Sequence, residues 1–148
     1  MLRYILIIFL TLSLAACTSA TIPLDESLTA RMDSPNAQLD RTKSLSIINH
    51  LRATKSNAPL SINAALNSQA NEMAAKYALS GKRPKKPNNI GAMQISAGYA
   101  NFANTFSGWR SNKASTNSLT NKDFSNAGIG VAYNANSTHG VYWVLLLD

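Results

Sequence analysis

The sequence predicts a mixed α/β domain of α+β type, an α-β-α sandwich with helices packed on both faces of a small, mainly antiparallel sheet. Three observations carry this expectation. Two consecutive stretches, "SLSIINHLRATKSNAPL" and "SINAALNSQANEMAAKYALSG", repeat apolar residues at helical spacing. Near the end, "AGIGVAYN" and "GVYWVLLLD" read as two strands joined by an Asn/Ser/Thr/Gly-rich turn. The last of these is apolar almost throughout, as a central strand covered on both faces must be, and the helices precede it in the chain.

Taken in order, residues 1–17, "MLRYILIIFLTLSLAAC", combine a basic Arg3, an apolar run from Tyr4 to Leu14 and small residues before a cysteine. That is an export signal, too short for a membrane span. Residues 18–41 contain two prolines and many small polar residues with little apolar periodicity, and are expected to form a flexible tether with a coil dimension of roughly 27 Å. The folded domain is placed at 42–148. Its first helix gathers Leu45, Ile47, Ile48 and Leu51 on one side and ends as Pro59 approaches. Its second has Ser61 as the expected N-cap, Leu66, Ala70, Met73, Ala74 and Tyr77 as the buried stripe, and Gly81 at the left-handed C-terminal position. A basic loop, "KRPKKPNN", leads to "IGAMQIS", a candidate strand. Asn101 then caps a helix in which Phe102, Phe106 and Trp109 fall at i, i+4 and i+7, a core stripe. In the first C-terminal strand Ile129, Val131 and Tyr133 alternate with small residues, and Asn134 to Gly140 make the turn into the last strand. There is no internal repeat.

With 148 residues, 45% hydrophobic and 14% charged, the chain supports one modest globular domain and is not disordered. Cys17 is its single cysteine, so it has no disulfide partner. The ending Leu14-Ala15-Ala16-Cys17 resembles a bacterial lipobox, which makes Cys17 the expected site of lipid attachment and the membrane the expected partner through that anchor. Thr18 follows, where an aspartate would signal inner-membrane retention in Gram-negative bacteria, so the outer membrane is the expected location. The formal charge of +7 falls by one when Arg3 leaves with the signal. A basic surface of this kind suits an anionic envelope polymer or an acidic protein partner. Nucleic acid is not expected as a partner of an exported, lipid-anchored chain.

Catalytic material is scarce. The two histidines, His50 and His139, have no His, Cys or carboxylate at ligand spacing. There is no G-x-S-x-G or S-x-x-K motif, and Gly128-Ile129-Gly130 sits inside a strand, where it cannot cradle a phosphate. Ser115 with Lys113 is the one hydroxyl-amine pair worth naming, and nothing in the sequence desolvates the lysine enough to make it a base. Within 42–148 the acids are Glu72, Asp123 and Asp148, too few for paired-carboxylate catalysis. The strongest charge feature is the loop with Lys82, Arg83, Lys85 and Lys86, either a solvated loop or a contact for an anionic surface.

The order of these features resembles the CAP superfamily, also called SCP or PR-1-like domains. Asn49, Arg52, Pro59, Leu60, Leu66 and Ala70 match its opening N-x-x-R … P-L-x-x-x-x-x-L-x-x-x-A. Ile95, Ala97, Gly98, Tyr99, Phe102 and Trp109 match its middle pattern, and "AGIGVAYNANSTHGVYWVLLLD" is similar to its final hairpin. The resemblance implies an α-β-α sandwich. It also implies a cleft that in many members holds a divalent metal through two histidines and two acids. Here Gly81, Met93, Asn112 and Ser115 stand at those four positions. Such residues supply almost no charge or donor strength to a divalent ion, so neither metal nor cofactor is expected. The implied function is a non-enzymatic binding or scaffold domain. The alternatives are a lipid or small-molecule carrier, which an apolar groove would favour, and a hydrolase using the Ser115 region, which a closed polar cluster there would favour.

Overall fold

A computed structural model describes residues 24–148. The export signal and Cys17 lie outside the described residues. The elements run α1 (Glu26–Thr29), α2 (Arg41–Ala53), β1 (Ser61–Ile62), α3 (Ala64–Ser80), β2 (Ala92–Ala97), α4 (Phe102–Ser111), α5 (Lys113–Leu119), β3 (Asn126–Tyr133) and β4 (Val141–Leu147). The four strands form one open sheet in the order β1-β3-β4-β2. β4 pairs antiparallel with both β3 and β2, and the two-residue β1 lies parallel to β3.

All of β4 is buried, and its alternating side chains divide between two layers. Val141, Trp143, Leu145 and Leu147 join Leu45 and Ile48 of α2, Phe102, Phe106 and Trp109 of α4, and Leu119 of α5. Val144 and Leu146 face the other way, onto Leu66, Ala70 and Ala74 of α3, while Tyr142 meets Tyr77 edge-on at 4.7 Å. Helices therefore cover both faces, as the apolar last strand requires.

α3 approaches β3 so closely that only glycine fits beneath it. A Cβ on Gly128 would stand 2.2 Å from the Leu66 carbonyl carbon, and one on Gly130 2.2 Å from that of Ala70. Asn67 locks the same contact by accepting from the Ile129 backbone N–H at 2.9 Å. Gly81 takes the left-handed C-cap position of α3 at φ 67°.

Two expectations need correction. The N-cap of α3 is Asn63, whose side chain accepts from Leu66 N at 3.0 Å, and Ser61 is instead drawn into β1 by pairing with Asn126. Residues 24–41 are not a free tether. Leu28 and Met32 are each 4% exposed within the α2/α4 layer, and Met32 N donates to Ala100 O at 2.7 Å. Burying two such side chains contributes about 1.5–3 kcal/mol each towards ordering a segment with no periodicity of its own. The polar run after Trp109, to which the sequence reading assigns no element, is helical over Lys113–Leu119. Asn112 caps α5 by accepting from Ser115 N, and Leu119 is its single fully buried anchor.

Candidate functional site

Asn49 and Arg52, one turn apart on α2, brace the fold around the site. The Asn49 amide exchanges two hydrogen bonds with the Leu60 backbone, 3.0 Å to its oxygen and 2.8 Å from its nitrogen, as a neighbouring strand would. Arg52 is fully buried, and its guanidinium donates to four carbonyls: Ala58 at 2.8 Å, Leu119 at 2.9 Å, Asn121 at 2.8 Å and Phe124 at 3.0 Å. Desolvation pushes its pKa down, yet a guanidinium stays protonated at physiological pH. These bonds tie the end of α5 and the following loop to α2.

The candidate cleft is a depression of about 350 Å³ along β2, the end strand of the sheet. Its floor is Met93, Gln94, Ile95 and Ser96. One wall comes from α4 and α5 through Gly108, Trp109, Asn112 and Ser115, and Arg83 and Tyr99 complete the rim. The Trp109 indole N–H donates to Ile95 O at 3.2 Å and fastens α4 to the floor. Tyr99 is 42% exposed and lies over Gly108, where an added Cβ would come within 3.0 Å of its ring.

The structure thus brings Met93, Asn112 and Ser115 together and leaves Gly81 outside, as the cap of α3. Arg83, expected only as a surface cation, lines the cleft. Lys82 and Lys85 flank a separate depression of about 370 Å³ against α3, beside Glu72 and Lys76. Lys86 donates back to the carbonyls of Pro87 and Ile90 within its own loop. Gln94 and Ser96 have no place in the sequence reading, and Tyr99 enters it only through the family pattern and not as a cleft residue. The alternation of "AMQIS" is the signal that could have found the first two, since it turns Gln94 and Ser96 away from the α3 face on which Met93 and Ile95 pack.

No lining side chain of this cleft is a carboxylate, imidazole or thiol, so its residues do not fit a divalent ion. Among the described residues no three His, Cys, Asp or Glu side chains cluster. His139 is exposed in the β3–β4 turn, and His50 is exposed on α2 with Nδ1 2.8 Å from Ser46 O. Neither lines the cleft beside Ser115, which is left without a proton acceptor.

A second feature runs along the outer side of α2. Two depressions of about 580 and 400 Å³ share Ser46 and His50, one reaching Leu45, Ala53, Leu60 and Ile62, the other Leu24, Leu28 and Ile47. Together they make a largely apolar trough. Among the described residues no helix is long and apolar enough to cross a membrane.

Comparison with known proteins agrees with this architecture. The solved structure of a protein named MpPR-1i has a TM-score of 0.62 at 18% identity, covering 75% of this chain and 90% of that one. An extracellular protein containing an SCP domain from Bacillus anthracis superposes with a TM-score of 0.58 at 12% identity, over 72% of this chain and 39% of that one. An outer surface protein from Borrelia burgdorferi gives 0.53 at 19% identity, over 75% and 96%. At these identities the likeness establishes the fold alone. No curated protein matches by sequence. The family profile described as CAP, cysteine-rich secretory protein family, matches residues 45–147, which span both sheet layers and the cleft, and the chain belongs to that family.

Proposed function

We propose that this CAP domain is a non-enzymatic binding module, lipid-anchored through Cys17 to the bacterial cell envelope at the outer membrane, with the β2 cleft as its contact surface. The observation that carries the reading is the cleft's chemistry: a formed groove whose lining is Arg83 among neutral side chains, with no acid or imidazole. Such a lining recognises by hydrogen bonds and one fixed positive charge, and it supplies neither a nucleophile with its base nor a metal site. The partner expected is an anionic envelope polymer or protein, with Lys82, Lys85 and Lys86 adding salt-sensitive attraction. Because Asp25 is paired with Lys43 of α2 and Leu28 is buried, little more than residues 18–23 separates Cys17 from the domain. Six residues reach at most about 20–22 Å, so the domain is held close to the lipid surface. The outer surface protein of Borrelia burgdorferi, which shares the fold, is in keeping with an envelope role.

Two measurements test the reading. Calorimetric titration with Zn²⁺, Mg²⁺ and Ca²⁺ is expected to show no stoichiometric uptake, and tight one-to-one binding of any of them would overturn the account of the cleft. A photo-crosslinker at Asn112 is expected to capture an envelope component in intact cells, whereas one at Ala75, exposed on α3, is not; equal capture at both positions rules out a specific role for the cleft. The carrier alternative is favoured by the apolar trough along α2. It requires that lipid co-purify with the domain and be lost on Leu45→Asn substitution.

A further inference from the structure

β2 is the end strand, bonded on its inner side to β4 from Ala92 opposite Leu147 to Ala97 opposite Tyr142. In an antiparallel ladder the backbone groups of successive residues point alternately to either side of the strand. Two bonds identify which set points where. Gly98 N donates to Val141 O at 2.9 Å, so even-numbered residues face β4. The Trp109 indole reaches Ile95 O from outside the pair, so odd-numbered residues face away from β4. Met93, Ile95 and Ala97 therefore present their N–H and C=O groups along the open edge. Among the described residues the Trp109 contact is the one bond made there, and it leaves that carbonyl a second lone pair.

Unpaired edges of this length are ordinarily covered, bulged or broken by proline, because they invite another strand. Here the edge opens instead into the cleft. The groove is walled by α4 and α5 on one side and rimmed by Arg83, the one charged side chain in its lining. We propose that the cleft binds an extended acidic peptide, which adds to β2 as a fifth strand. The main-chain groups of Met93, Ile95 and Ala97 pair with the peptide backbone, and Arg83 meets a carboxylate on it. This inference rests on the cleft being a binding site, and it names the partner's chemistry. A second copy of the chain is a poorer occupant, since two-fold pairing of β2 with itself brings two Arg83 guanidiniums to one seam, where like charges repel.

The test uses the full chain in detergent, residue-resolved amide exchange, and the probe acetyl-Thr-Glu-Val-Glu-Thr-Glu-Val-amide. With saturating probe, exchange at Met93, Ile95 and Ala97 is expected to slow tenfold or more. N-methylation of one alternate set of probe amides should abolish binding while methylation of the other set is tolerated, because only one edge of a strand pairs. Arg83→Glu should weaken the probe at least tenfold and admit its lysine counterpart. Changes at Asn112 and Ser115 without protection of β2 would overturn strand addition and leave the cleft a binding site. Absence of any response in the cleft would overturn both. Protection that rises with protein concentration and needs no probe would assign the edge to a second copy and refute the peptide reading.

Discussion

Replacing Arg52 by methionine removes the guanidinium while retaining most of its stem. Four carbonyls then lose their donor. The one on Leu119 is bonded in a buried setting, whereas those on Ala58, Asn121 and Phe124 are partly accessible. A buried acceptor left unpaired costs about 1–3 kcal/mol, and each of the other three, partly rehydrated, about 0.5–1 kcal/mol. The expected loss is therefore about 2.5–6 kcal/mol, a large share of the roughly 5–15 kcal/mol that holds a domain folded. The guanidinium's own desolvation, visible in its lowered pKa, is relieved in the variant and keeps the figure from being larger. Urea unfolding followed by circular dichroism measures the loss, and amide exchange locates it in α5 and residues 120–125. Arg52→Lys, with the charge kept but the donors gathered on one atom, should lose about 2–3 kcal/mol and serves if the methionine variant does not fold. A loss below about 1 kcal/mol for methionine, or one that leaves exchange in α5 unchanged, would refute the assignment of Arg52 as the brace between α2 and the cleft wall.

Other consequences are equally direct. Gly130→Ala drives a methyl into the Ala70 backbone, which cannot swing aside, and should destabilise by about 3 kcal/mol or more in the same urea assay. Gly81→Ala meets nothing within 4 Å and should lose only the left-handed strain, about 1–2 kcal/mol. The Asp25 carboxylate is held at a pKa of about 2, first by its bond to Lys43 and then by those to Ser27. Because its folded value lies below the ordinary 3.8, the clip between α1 and α2 is intact above pH 4 and is lost as pH falls through 2. An NMR titration of Asp25 should show this, and Lys43→Met should move the midpoint upward. Cys17→Ser should abolish lipidation and release the protein from the membrane fraction, and unchanged partition with an unmodified mass would remove the anchor from the proposal.

The cleft was half legible. The family pattern pointed to Met93, Asn112 and Ser115, and the chain does bring these three to one groove. It also pointed to Gly81, whose place is a helix terminus governed by backbone conformation and not by the site. Arg83 was visible only as one cation among four, because the direction a loop side chain takes depends on where β2 lies beneath it.

What the sequence by itself determined were α2, α3 and α4 and the hairpin of β3 and β4, each written as a local period of apolar residues that no neighbour is needed to read. The full burial of β4 followed from its composition, and with it the need for helices on both faces. Tertiary structure decided the rest. Leu28 and Met32 are isolated apolar residues in a polar stretch, and only a prepared surface on α2 and α4 gives them a place to be buried. α5 carries Ser115, Thr116, Asn117 and Ser118, poor helix formers, yet it is helical because Leu119 is buried and Arg52, 67 residues earlier, binds its last carbonyl. Periodicity specifies which face of an element is buried, but the partner that covers that face, and the groove left where no partner does, come from contacts between distant parts of the chain.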